Sequence, residues 1–373
     1  MDHHASREQD ATEHRERNTL LSPLALALSF VVVLEGAVAR TIDHVLEILH
    51  WELLRDSDIR YVLAHSLHRL SLLSNESIRV EAAAFVQRDF DVTRVYRDAL
   101  ETYYGADVLL VNFLDQRAAL VAVNSWVCRA TSRVIMRLLL DKTSEIDSKS
   151  RFLATGVVTL NLSFDQPFRN ARIQRPFYIS SASSQSVESM NMLGTFGYKE
   201  FVEHGFEAVS LPLLSGNFSL VLLKPLEGVT LKMVRRTLIE HPDLLLSLQA
   251  QMVPTLVDVT LPRFKVTAVC GLKSALTSLG SGFLFDRFQT NMGVVSRHGH
   301  AYVSNMLNAV SLDVGPASSQ SSEEDGTVAA STAALAFHAD RPFAYLVHDK
   351  ADGVPLALGQ FVGPSGPAGE TPS

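Results

Sequence analysis

The residues able to do chemistry are few and poorly arranged for it. Cys128 and Cys270 are the only two cysteines in 373 residues. They lie far apart, make no metal-ligand spacing, and read as buried free thiols in preference to a disulfide. His298-Gly299-His300 offers two imidazoles, but nothing beside it completes a metal set, and it reads as part of a solvated loop. Serines abound, yet no serine, histidine and acid form a recognisable triad, so the chain is expected not to be an enzyme. What remains is a loop. Val303-Ser304-Asn305-Met306-Leu307-Asn308-Ala309-Val310-Ser311-Leu312-Asp313-Val314 alternates like a strand. A polar stretch, Gly315–Thr327, and a small-residue stretch, Val328–Ala336, follow it. Phe337-His338-Ala339-Asp340-Arg341-Pro342-Phe343 then opens two more strands. A long loop without core residues, pinned at both ends by strands, is expected to be the working part itself.

The elements that must hold this loop change character along the chain. With 47% hydrophobic and 20% charged residues, the chain can bury a large core. Its net charge of −7, without a long basic run, excludes nucleic acid as the expected partner. Ile42–Trp51, Asp58–Leu73, Val95–Tyr104 and Arg117–Leu140 carry apolar residues at helical spacing, with strands expected at Ile78–Gln87 and Val108–Phe113. From Thr155 onward strands prevail: Val157–Leu162, Phe206–Pro212, Phe218–Leu223, Leu256–Leu261 and Phe343–His348, interrupted by helices at Leu231–Leu248 and Gly271–Leu279. Helices first and strands later, without regular βαβ alternation, predict an α+β domain.

Residues 1–17 and 365–373 are expected to be disordered from composition. Leu20–Ala39 has a signal-peptide-like apolar run, but Pro23 and Glu35 interrupt it. It reads as a core helix, too broken for a membrane span. The compartment stays open between secretion through an uncleaved or atypical signal and the cytoplasm. Asn75, Asn161 and Asn217 head glycosylation sequons of little weight.

Several segments, in order, resemble serpins. They are Asn18-Thr19-Leu20-Leu21-Ser22-Pro23 with Glu35-Gly36-Ala37 and Thr41; Tyr104-Gly105-Ala106; Val111-Asn112-Phe113; and Asn124-Ser125-Trp126-Val127 with Thr131. Further on come Leu211-Pro212, Leu261-Pro262-Arg263-Phe264, Leu279-Gly280 with Phe285-Asp286, Tyr302-Val303-Ser304, Arg341-Pro342-Phe343 and Gly359. The resemblance implies one domain over residues 18–364, of about nine helices and three β-sheets, with an exposed reactive-centre loop at about 315–336. It implies a single-use trap for a target protease, serine or cysteine, acting as a monomer away from membranes and without cofactor or metal. The protease attacks the loop, and the cleaved loop inserts as a new strand and distorts the bound enzyme.

The loop aligns in two ways. Asp325-Gly326-Thr327 looks like the family hinge, but leaves the bait too short. Counting from the preceding strand, 28 positions separate Val314 from Pro342, close to the family spacing. This favoured register puts the hinge on Ala317-Ser318-Ser319-Gln320-Ser321-Ser322 and the scissile bond near Ser331–Thr332. Glu323 and Asp325 would then bring carboxylates into the inserted strand, where an unpaired polar group costs about 2–7 kcal/mol. The cluster that controls sheet opening in the family aligns with Ser22, Ala25, Gly156 and Asn308, and its neighbouring tryptophan with Phe164. Most of these positions here lack the family's hydrogen-bonding residues. Two functions follow: an inhibitor of proteases with small apolar specificity pockets, baited by Ala330-Ser331-Thr332-Ala333, or a non-inhibitory binding scaffold.

Overall fold

A computed structural model describes residues 16–364, apart from 74–76, 141–144, 167, 169, 181–182, 215, 298–300, 317–333, 352 and 354. The chain opens with β1 (Thr19–Leu21) and α1 (Pro23–Leu34). Ser22 caps this helix, accepting from Ala25 N at 3.1 Å, and Pro23 occupies the first helical position, where no N–H is needed. Because α1 is apolar on every side, it is buried as a core helix, as the sequence led one to expect. Glu35 ends it and receives both Arg60 Nε and Nη2 at 2.7 Å, with the Tyr104 hydroxyl at 2.9 Å.

The helical half continues with α2 (Arg40–Leu49), α3 (Asp56–Leu73), β2 (Ile78–Gln87), α4 (Arg94–Tyr104), β3 (Asp107–Val111) and α5 (Gln116–Ala130). The expected helix to Leu140 stops ten residues earlier than read. Thr131 turns back on itself, donating to Val127 O at 2.7 Å and accepting from Ile135 N at 3.0 Å. Ser132 and Arg133 then take positive φ, and Asn124 gathers the amides of Leu138 and Leu139 at 2.8 and 2.9 Å.

Strands follow: β4 (Phe152–Leu162), β5 (Asn170–Ser180), β6 (Ser183–Phe201), β7 (Phe206–Pro212) and β8 (Phe218–Pro225). Next come α6 (Leu231–Glu240), α7 (Pro242–Gln251), β9 (Val253–Pro262), β10 (Phe264–Gly271) and α8 (Leu272–Leu276). The chain closes with β11 (Val303–Val314), β12 (Leu335–His338), β13 (Phe343–Asp349) and β14 (Pro355–Phe361). The single helix expected over Leu231–Leu248 is two, because Pro242 lacks the N–H to continue α6 and instead starts α7. The helix expected over Gly271–Leu279 keeps α-form only in α8, then becomes a π-helical turn with Gly280 at φ 93°.

The expected α+β architecture holds, with eight α-helices among the described residues. A nine-stranded sheet runs β1-β14-β13-β8-β7-β6-β9-β12, with β5 paired to β6. Since β6, at 19 residues, pairs with β5, β7 and β9, hydrogen bonding joins two of the three expected sheets into one. The second sheet is five-stranded, β10-β11-β4-β2-β3. Alternate residues of its strands face two cores. Ala82, Ala84 and Val86 join α1 and the larger sheet, whereas Ala83 and Phe85 pack with Val123 and Trp126 of α5.

Both cysteines are free, as expected, but they are not buried: Cys128 is half-exposed, and Cys270 is exposed although it shares the strand face of Phe264, Val266 and Ala268, because it lies near the end of β10 where the core stops covering that face. No described helix is long and apolar enough to cross a membrane. His298-Gly299-His300 and Asn75 lie outside the described residues, and no metal-binding group of three or more His, Cys, Asp or Glu occurs among those described.

Candidate functional site

The centre of the five-stranded sheet is a seam between two parallel strands. β11 pairs with β4 from Val303 opposite Phe152 to Val314 opposite Leu162, with one irregularity between Val303 and Asn305. β2 and β10 flank them, each antiparallel to its neighbour. No strand intervenes in the seam along this length. A chain turning back from Val314 and entering between β4 and β11 would run antiparallel to both, exchanging one slanted parallel ladder for two antiparallel ones.

The seam is stapled by α1. Gly156 of β4 stands opposite Asn308 of β11. Ser29, on α1, donates to Asn308 Oδ1 at 2.8 Å. A side chain at position 156 would put its Cβ 2.1 Å from the Ala25 carbonyl oxygen and 3.1 Å from Ser29 Oγ, so the helix backbone fills the space a larger residue would need. Ala25, Gly156 and Asn308, read from sequence as an opening cluster, therefore do meet, with Ser22 one turn away as the cap of the same helix. Ser29 was missed. Its signal was available: a lone serine four residues after Ala25, on the same face of an otherwise apolar helix.

The staple is tight but not fully satisfied. Asn308 Nδ2 is buried without a hydrogen-bond partner among the described residues, and so is Thr155 Oγ1 on the opposite face of the sheet. Each such group costs about 1–3 kcal/mol. Phe164 is buried and meets the edge of Phe168 at 5.2 Å between ring centres, an apolar contact needing no polar partner.

The loop's two anchors are clear. β11 ends at Val314, and β12 begins at Leu335 in the other sheet, parallel to β9. Where the chain leaves β11, Arg263 lies against Gly315 and also donates to Glu188 at 3.4 Å. The expected hinge residues Ser318, Ser319, Ser321, Glu323 and Asp325, the alternative hinge Gly326-Thr327, and the bond Ser331–Thr332 all lie outside the described residues.

Known proteins give the same picture. The family profile described as Serpin (serine protease inhibitor) matches residues 7–364. Serpin H1 of Mus musculus is 22% identical over 359 residues, covering 95% of this chain and 85% of its own. Plasminogen activator inhibitor 1 of Bos taurus is 25% identical over 368 residues, covering 94% and 88%. Among solved structures, a serpin from the trematode Schistosoma haematobium superposes with TM-score 0.80 at 20% identity, covering 95% of this chain and 96% of its own. Mouse protein-Z dependent protease inhibitor does so with TM-score 0.80 at 19% identity, covering 94% and 92%.

Proposed function

The chain belongs to the serpin family, and from that premise we propose that it is an endopeptidase inhibitor acting as a suicide substrate. The target is a serine protease that prefers small residues. Its nucleophile attacks the Ser331 carbonyl and forms an acyl-enzyme as the Thr332 amine leaves. The freed segment, anchored at Val314, then enters the seam as an antiparallel strand and draws the acylated protease with it. No catalytic group of this chain takes part.

The observation that carries this reading is the direct parallel pairing of β4 and β11. Such a pair has room to improve, because an inserted strand adds two ladders and breaks one. The orphaned Asn308 Nδ2 and Thr155 Oγ1 further raise the energy of the closed sheet. Incubation with an elastase-like serine protease tests the proposal. An SDS-stable complex, with the C-terminal fragment released on denaturation, is the expected result, and clean turnover of the loop without a complex argues against it.

A second reading, a binding scaffold whose loop never inserts, is favoured by two features. The α1 backbone is locked against Gly156, and Glu323 and Asp325 lie in the segment that must be buried. In that case cleavage leaves thermal stability unchanged.

A further inference from the structure

A cavity of about 600 Å³ opens at the end of the β4–β11 seam opposite the loop. Its walls come from the start of α2, from the residues leading into β4 and β11, and from the segment 287–291. Among the described lining residues four are cations, Arg40, Lys149, Arg151 and Arg287, and none is Asp or Glu. In a chain of net charge −7 this is a strong local reversal.

None of the four cations is in a salt bridge with a described carboxylate. Arg151 is fixed by donating to the carbonyls of Ser148 and Ser150 at 3.1 and 2.8 Å. Arg287 stacks over the Phe288 ring at 4.5 Å. Of the nearby carboxylates, Asp286 is drawn on chiefly by backbone and side-chain amides and in smaller part by the adjacent Arg287 charge. Asp286 accepts from Phe288 N at 2.8 Å and Gln289 Nε2 at 2.9 Å, Asp147 accepts from Lys149 N at 2.8 Å, and Asp43 is exposed. The amino end of α2 also opens here without a side-chain cap, so its dipole adds to the positive field. The wall is held in shape by Asn291 N donating to Thr41 Oγ1 at 2.9 Å.

Four like charges held round one concave space repel each other and concentrate counter-ions there. We propose that this cavity binds a small polyanion carrying two or more phosphate or sulfate groups, and that the bound anion fastens the closed end of the seam. The volume lies within the range of small-molecule sites and suits a compact molecule better than a polymer. Lys149 and Arg151 precede β4, Tyr302 precedes β11, and Arg40 starts α2. An anion bridging them ties together the two strands that insertion must part. The binding claim is independent of the inhibitor reading; only the effect on insertion rests on it.

The test is calorimetric titration of the full chain with tripolyphosphate and, separately, sucrose octasulfate, at one fixed ionic strength. Saturable one-to-one binding is expected, and the tighter of the two identifies phosphate or sulfate as the source. Lys149→Ala with Arg287→Ala, both exposed and outside the core, should weaken binding at least about tenfold while the unfolding temperature without ligand stays unchanged. Arg236→Ala, a surface cation elsewhere, should leave binding unchanged. Absence of saturable heat, equal affinity in the double variant, or equal loss in Arg236→Ala overturns the site. Saturating anion should also raise the unfolding temperature by a few degrees and slow protease-complex formation. Binding without slowing overturns the fastening role alone. A chain that forms no complex under any condition defeats the inhibitor reading, while the site is still decided by the titration.

Discussion

At the scale of single residues, two backbone positions discriminate between alanine and glycine, one through its backbone conformation and the other through a close neighbour. Ala39 stands at φ 49°, ψ −131°, the second position of a tight turn closed by Thr41 N to Val38 O at 3.2 Å. That conformation suits glycine and strains an L-residue by about 1–3 kcal/mol. Ala39→Gly is therefore expected to stabilise the fold by about 1 kcal/mol after the greater freedom of glycine in the unfolded chain is counted. A lower denaturant midpoint for this variant would refute the strain. Gly156 is the reverse case. An added methyl would meet the Ala25 carbonyl at 2.1 Å, and a helix backbone cannot swing aside as a side chain can. Gly156→Ala should cost about 1–3 kcal/mol in urea unfolding; a neutral result would mean that α1 is free to shift. The sequence marked Gly156 only as a position lacking a hydrogen-bonding side chain. That its missing side chain lets a helix backbone approach was not legible, because nothing local to Gly156 names the partner that comes near.

At the scale of elements, helices with one apolar stripe were readable and their ends less so. The spacing in α2, α3 and α4 placed them within about two residues, since only a 3.6-residue period brings those side chains to one face. The break between α6 and α7 was written in Pro242 and overlooked. Neither β5 nor β6 was legible as a particular strand. Ser183-Ser184-Gln185-Ser186 is exposed and shows no alternation, so its strand form comes from pairing with Pro176, Phe177, Tyr178 and Ser180 and not from local pattern. The candidate loop was legible because strands on either side bracket it, whereas Ser29, whose importance depends on a partner 279 positions away, was not. That contact makes a prediction about α1 as the staple of the seam. Ser29→Ala leaves Asn308 Oδ1 as well as Nδ2 unsatisfied in the closed sheet. It should lower the unfolding temperature of the uncleaved chain, at a cost of about 1–3 kcal/mol. An unchanged transition in differential scanning calorimetry would remove Ser29 from the staple.

At the scale of the whole molecule, stability depends on protons and, on the inhibitor reading, on the state of the loop. Burial holds the imidazole of His348 below its ordinary value, with the neighbouring Asp349 pulling the other way. The unfolded chain therefore takes up this proton first. The contribution is complete above about pH 6.5 and is lost as pH falls toward the depressed folded value. Thermal melts from pH 7.5 to 5.5 should show this decline, and His348→Gln should flatten it; an unaltered slope would assign the decline to other groups. On that reading cleavage acts in the opposite direction. In the uncleaved chain β4 and β11 pair with each other across the seam. On the inhibitor reading, cutting between Gly326 and Phe337 frees the segment attached at Val314 to enter, and the sheet gains a strand without losing its flanking pairs. The cleaved chain should then melt well above the intact one, with its C-terminal fragment still bound. Glu323 and Asp325 oppose that gain if their carboxylates must leave water. Glu323→Ala together with Asp325→Ala should enlarge the rise on cleavage and increase the share of protease held as complex over protease released. Should the double variant alter neither quantity, the acids stay outside the sheet. The shorter hinge at Gly326-Thr327 would then be the working register, and with so little bait beyond it the scaffold reading would take precedence.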